Sequence, residues 1–274
     1  MRNVLTFDVE DWYQGLDVAH AAWTEFERRL SVGLEFILEL LSGAGVRATF
    51  FVLGITAREQ PQWVRCIAEQ GHEIGTHGWS HTPIYRQSRE QFRAELCRSL
   101  ALLQDLTGRR VCGHRAAFFS ITRQTRWALD DLAEQDVQYD SSIFPVYNYR
   151  YGMPRAARFP HALRSSLWEL PIATVHLAGL NVPFGGGFYM RFWHYRFVRW
   201  AIARLNVQRQ PAIVYFHPWE FDEAQPRLRC QSHWLARATH YYRLSSTRAT
   251  LRRLLADFEW TSAGAYVSAL SSPA

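Results

Sequence analysis

The chain contains no lysine, so all 31 of its basic side chains are arginine. That absence excludes a Schiff-base lysine nucleophile and any phosphate loop of the GxxxxGK[ST] type. Arginine without lysine reads first as a compositional bias of the source genome, and the net charge of +6 is no argument for a nucleic-acid partner. Cysteine is scarce as well. Cys66, Cys97, Cys112 and Cys230 fall at unpatterned intervals with no CxxC pair, which leaves a cysteine-rich zinc site or disulfide framework unsupported and reads as buried or free thiols. Long apolar runs are missing too: none reaches the roughly 18 residues of a membrane span. The run Val4 to Phe7 stops at Asp8, too short for the core of a secretion signal, so the expected compartment is the cytoplasm.

What is present is the material of a large folded unit: 274 residues, 48% of them hydrophobic, with no repeat, low-complexity tract or linker, which reads as a single domain over 1–274. Short apolar runs alternate with longer amphipathic stretches. Val4 to Phe7, Ala48 to Leu53, Glu73 to Thr76, Trp168 to Ile172 and Ala212 to Phe216 read as strands. Helices are expected over Trp23 to Leu41, Pro61 to Gln70, a stretch opened by a Ser88/Gln91 capping box and closed by Gly108, Met190 to Leu205, and a last one around Ser246 to Phe258. This is β/α alternation with mostly parallel strands, an α/β barrel or sheet whose strand C-terminal ends are the place to look for a site.

Asp8, Glu10 and Asp11 follow the first strand. Three carboxylates within four residues repel one another, and a bound cation would relieve that repulsion; a solvated turn or helix cap is the plain alternative. His77 and His81 are four residues apart, a spacing that lets both imidazoles reach one point, and two imidazoles with one carboxylate make the protein side of an open catalytic zinc or similar site. His72, Glu73 and His77 form HExxxH, one residue too long for the zinc-protease motif, so His72 reads as structural. Arg115 follows an apolar stretch and can pair with a carboxylate at the same rim. Asp140 and His217 again fall where strands stop, and a strand-end histidine steadied by a buried aspartate is a reasonable general acid.

Taken in order, these segments resemble the polysaccharide deacetylase superfamily, carbohydrate esterase family 4. Thr6-Phe-Asp-Val-Glu-Asp-Trp12 is similar to the TFDDG motif, His77 to His81 to H[ST]xxH, Arg115 to the start of RxPxY, Asp140 with Ser142 to DxS, and His217 to the closing LxH. Phe-Asp-Val-Glu-Asp-Trp, Gly185-Gly-Gly-Phe-Tyr and the run from His217 to Arg227 further resemble the bacterial deacetylases found with exopolysaccharide and exosortase systems. Val9 stands where the family's metal-binding aspartate is usual, so the resemblance leaves Glu10, with Asp11 as the alternative, as third ligand beside His77 and His81. Ala117 stands in place of the usual proline and Phe119 where tyrosine is common.

The resemblance implies a distorted (β/α)7-type barrel with a decorated C-terminal part and a divalent cofactor, foremost zinc. It implies Asp8 as base, Arg115 orienting Asp8, a backbone N–H near Ala116 for the oxyanion, and His217 held by Asp140 as acid. The substrate implied is an N-acetylated saccharide of a polysaccharide or its lipid-linked precursor. The alternatives are a small amide or ureide hydrolase of the same superfamily and a non-catalytic carbohydrate-binding protein. A cytoplasmic enzyme would meet a lipid-linked precursor at the inner membrane face, and the arginine- and aromatic-rich Met190 to Leu205 is compatible with peripheral membrane contact, although a core helix with exposed arginines is the plainer reading. Gly185 to Gly187 could offer N–H groups to a phosphate or simply form a tight loop.

Overall fold

The computed structural model describes residues 1–16, 18, 20–148, 151–163, 167–228 and 234–271; Cys230 lies outside them. The first half runs β1 (Asn3–Val9), α1 (Leu30–Ala44), β2 (Thr49–Val52), α2 (Gly54–Glu59), α3 (Pro61–Glu69), β3 (Glu73–Thr76), α4 (Arg89–Thr107), β4 (Gly113–His114), α5 (Ala128–Glu134) and β5 (Tyr139–Asp140). The second half adds β6 (His161–Ala162), β7 (Trp168–Glu169), β8 (Thr174–Leu177), β9 (Leu180–Pro183), α6 (Gly187–Phe192), α7 (Tyr195–Val207), β10 (Ile213–Phe216), α8 (Trp234–Tyr241), α9 (Thr247–Asp257), β11 (Trp260–Thr261) and α10 (Ala263–Ser271).

The main sheet has the order β10-β1-β2-β3-β4-β5-β7-β6, with β11 pairing the start of β1 across from β10; it is parallel except for the antiparallel β6–β7 edge. It curls into the open barrel of the (β/α)7 type, and strands from both halves of the chain share it. Between β7 and β10 the circle is joined by backbone bonds from Ala173 N to Ile213 O (2.9 Å) and from Tyr215 N to Gly185 O (2.9 Å). β1 is buried along its whole length, as a central parallel strand covered on both faces must be, which is why it reads as an apolar run rather than an alternation. Its neighbours are in register at their C-terminal ends: Phe7 lies opposite Phe216, Val9 opposite Val52, Val52 opposite Thr76, Thr76 opposite His114 and His114 opposite Asp140. The residues that follow these strands therefore emerge on one rim.

Several helix ends follow their sequence signals. Ser88 Oγ accepts from Gln91 N while Gln91 Oε1 accepts from Ser88 N, opening α4, and Gly108 closes it in the left-handed conformation at φ 63°. Others do not. The helix expected from Trp23 begins only at Leu30, after a short 3-10 turn over His20–Glu25. Met190 to Leu205 is two helices, because the backbone turns extended at Trp193 and His194, whose ring accepts from Arg196 N and caps α7 anew. The strand expected over Trp168 to Ile172 keeps regular pairing only at Trp168–Glu169, and α10 follows the helix expected to be last.

α7 buries Val198, Ala201, Ile202 and Leu205, a helical stripe facing the core, and exposes Arg196, Arg199 and Arg204. Among the described residues no helix is long and apolar enough to cross a membrane.

Candidate active site

At the rim, Glu10, His77 and His81 each direct one ligand atom to a common point, the three atoms lying within 4.8 Å of one another and all three residues buried. His77 Nδ1 lies 2.8 Å from the carbonyl oxygen of Arg115; the N–H donates there, which fixes the tautomer and leaves Nε2 as the free lone pair. His81 sits in the left-handed region at φ 56°, a costly conformation for a non-glycine residue, with its ring 4.4 Å from that of Phe118. Its Nε2 is 2.8 Å from Glu10 Oε2, yet that oxygen has no partner of hydrogen-bond geometry and is buried. Burial pulls the His77 imidazole down to about 4, so it is neutral, the ligand form, at pH 7. Burial opposes ionisation of Glu10, but His81 and His217 outweigh it and hold the carboxyl below the ordinary range. Two imidazole nitrogens, one carboxylate and an orphaned buried oxygen fit a divalent ion of the zinc type.

Asp11 does different work. Its carboxylate accepts from Trp12 N (2.9 Å), Arg29 N (2.9 Å) and Leu30 N (3.2 Å), satisfying free amides at the start of α1, whose own N-cap residue Arg29 makes no side-chain cap. A cap supplied from 18 positions upstream explains why α1 starts where no local signal marks it.

Asp8 stands beside this cluster. Arg115 Nη1 donates to Asp8 Oδ1 (2.7 Å) and Thr6 Oγ1 (2.8 Å), while its Nε and Nη2 donate to the carbonyl and hydroxyl of Ser141. Far from being an ordinary exposed arginine, Arg115 is fully buried, its charge over the Phe51 ring at 4.4 Å. Of the amides near Ala116, where a donor to the oxyanion is expected, that of Ala116 itself donates to Ser142 Oγ at 2.8 Å.

His217 Nε2 lies 3.1 Å from Glu10 Oε1 and 4.0 Å from Asp8 Oδ2. The partner of its Nδ1 is Glu220 Oε1 at 2.7 Å, and not Asp140, which corrects the sequence expectation. Asp140 is occupied elsewhere, with His114 Nδ1 at 2.7 Å, Ser142 Oγ at 2.6 Å and Ser142 N at 3.1 Å. The reason is local: the 3-10 turn Pro218–Phe221 folds the carboxylate at position i+3 back over the histidine, where it also accepts from His217 N. Burial would lower the His217 pKa, but the carboxylates of Glu10, Glu220 and Asp8 raise it to about 9.

Glu220 and its partner Arg191 are the residues that sequence reasoning missed; the His-x-x-Glu spacing after a strand was the available signal. His72 is structural as expected, buried with Nδ1 accepting from Ala48 N.

Beside His217 opens a cavity of about 390 Å³, lined by Tyr147, Tyr151, Phe188, Tyr189, Tyr215 and Trp219 among others. The three glycines that lead into α6, Gly187 being its first residue, are packed closely: a Cβ would stand 2.8 Å from Ile213 O at Gly185, 2.6 Å from the Tyr215 hydroxyl at Gly186 and 2.0 Å from Glu220 Oε1 at Gly187.

Residues 4–136 match the polysaccharide deacetylase family model, and residues 141–268 match a domain of unknown function, DUF3473. The chain is similar to a peptidoglycan deacetylase of Helicobacter pylori, 27% identical over 52% of this chain and 48% of that protein. It is also similar to a peptidoglycan-N-acetylglucosamine deacetylase of Bacillus cereus, 37% identical over 27% of this chain and 28% of that protein. It therefore spans less than half the length of either relative. Among solved structures it shares its fold with a polysaccharide deacetylase-type protein from Mycobacterium smegmatis, with a TM-score of 0.64 and 22% identity over 97% of this chain and 88% of that one. It shares it equally with the allantoinase Puue, with a TM-score of 0.61 and 15% identity over the same shares of the two chains. Residues 4–136 thus carry a polysaccharide deacetylase domain of carbohydrate esterase family 4, and strands of the second half complete the sheet around it.

Proposed function

We propose that the protein is a metal-dependent N-deacetylase that releases acetate from N-acetylated amino sugars of a polysaccharide or of its lipid-linked precursor. One observation carries the reading: a Glu10–His77–His81 cluster, an Asp8–Arg115 pair and His217 meet at a single rim beside an aromatic-lined cavity. A binding protein for sugars needs the aromatics alone and has no use for a base, an acid and three converging ligands. The likeness to an allantoinase concerns the fold and does not bear on the choice between a saccharide and a small ureide.

Glu10, His77 and His81 would hold the ion, which when bound polarises the acetamide carbonyl and acidifies water. Asp8, fixed by Arg115, takes the proton of the attacking water. His217, with Nε2 3.1 Å from Glu10 Oε1 and 4.0 Å from Asp8 Oδ2, delivers a proton to the leaving amine. Tyr and Trp faces in the cavity suit the apolar faces of sugar rings. Exposed Arg196, Arg199 and Arg204 on α7, with Trp200 among them, support contact of a lipid-linked substrate's membrane with this side of the molecule. Arg191 does not join them, since it is buried and paired with Glu220.

The test is acetate release by the metal-loaded chain from a panel of N-acetylated saccharides and lipid-linked precursors. Release that is abolished in Asp8→Asn with metal still bound supports the reading; a metal-loaded wild type that releases no acetate from any of them overturns it.

A further inference from the structure

The segments that surround His217 come from the half of the chain whose family model carries no function. We propose that Glu220 is the positioning residue of the acid His217, held by Arg191 and given its room by Gly187. The proposal rests on the deacetylase reading above and assigns residues 186–220 the delivery of the proton.

Glu220 is wholly buried, and its two oxygens are divided between two tasks. Oε1 accepts from both Nδ1 (2.7 Å) and the backbone N (3.0 Å) of His217, so ring and main chain are fixed by the same atom. Oε2 faces Arg191 Nε at 3.0 Å. Arg191 is itself immobilised: its guanidinium donates to the carbonyls of Gly187, His240 and Tyr242. A Cβ on Gly187 would stand 2.0 and 2.1 Å from the two carboxylate oxygens, so the carboxylate can occupy this place only while residue 187 has no side chain. Trp219 stacks on the His217 ring at 4.9 Å and 17°, and His240 backs Trp219 at 3.8 Å. With Nδ1–H tied to Glu220, the proton on Nε2 points at the cluster. As water adds to the carbonyl and Asp8 takes its proton, the carbon–nitrogen bond breaks and the Nε2 proton passes to the departing nitrogen, giving amine and acetate.

A residue that only stabilises the fold would affect all substrates alike, whereas one that aims an acid matters only when the leaving group needs a proton. The metal-loaded chain is therefore assayed with an N-acetyl saccharide, whose amine must be protonated, and with 4-nitrophenyl acetate, whose phenolate leaves without one. Glu220→Gln and Gly187→Ala are compared with wild type, metal content and circular dichroism being recorded for each. Gly187→Ala keeps both charges and displaces the carboxylate, so it remains informative where Glu220→Gln fails to fold around an unpaired Arg191. The expected result is a kcat loss of about 10²-fold on the amide, the size of a general-acid contribution, with KM and the ester rate little changed. Equal losses on amide and ester, or no loss on the amide, overturn the proposal. A wild type that hydrolyses the ester but no N-acetyl saccharide overturns the deacetylase reading, and the proposal with it.

Discussion

Arg115 and Asp8, 107 positions apart in the chain, form a buried ion pair at 2.7 Å in which neither residue is more than 1% exposed. Such a pair is costly to bury and costlier to halve. Removing the cation in Arg115→Met should destabilise the fold by about 3–5 kcal/mol, because Asp8 is left charged without compensation. Asp8→Asn keeps an acceptor for Arg115, so it should retain the metal and cost less stability than Arg115→Met, while lowering kcat by about 10²-fold or more. Chemical denaturation and steady-state kinetics on the two variants separate the effects.

The neighbours Glu10 and Asp11 should divide cleanly in their phenotypes. Glu10→Gln, His77→Ala and His81→Ala are expected to lose the ion with the fold intact. Asp11→Ala is expected to keep it and to lose about 1–2 kcal/mol of stability, the range for a helix cap. Elemental analysis and urea melts of the four variants check this, and metal loss in Asp11→Ala with full occupancy in Glu10→Gln would reverse the assignment.

The acid and ligand histidines should titrate far apart. In the metal-free protein, an NMR titration should place His217 near about 9, protonated below and neutral above. Metal on Glu10 offsets one of the carboxylates that raise it, so adding Zn2+ should move the midpoint downward, and the alkaline limb of kcat should follow the loaded value, activity falling as pH rises through it. On the acid side, metal should dissociate as pH falls toward about 4, where His77 takes a proton. A midpoint of His217 indifferent to metal would contradict the proximity of its Nε2 to Glu10.

Gly33 of α1 and Pro218 of the turn after β10 touch backbone to backbone: a Cβ at residue 33 would lie 1.8 Å from the Pro218 carbonyl oxygen. Gly33→Ala should force α1 away from the turn, with a loss of at least about 1–3 kcal/mol from overpacking. It should also lower kcat through the displaced His217 although residue 33 is remote from the substrate. Thermal melts and kinetics of this variant test the coupling.

What could be read from the chain was whatever is encoded locally. The buried run of β1, the Ser88/Gln91 box and the four-residue spacing of His77 and His81 each state their geometry within a few positions. The start of α1 could not be read, because its cap is Asp11 across a long excursion of chain. The exchange of Asp140 for Glu220 was hidden for a related reason: both are acids near strand ends, and only the assembled rim shows that His114 and Ser142 occupy one of them. Arg191 looked like one more surface arginine until its carboxylate partner was in view.

The pairing of β1 with β10 sets an order of events during synthesis. Every ligand atom of the Glu10–His77–His81 cluster, and the Asp8–Arg115 pair, belongs to the first 115 residues, whereas His217 joins them only when β10 docks along β1 from more than 200 positions away. Until β10 is in place, the residues of the cluster and the base have no proton donor beside them. On the proposed mechanism, the long-range docking of β10 is therefore also the step that completes the chemistry.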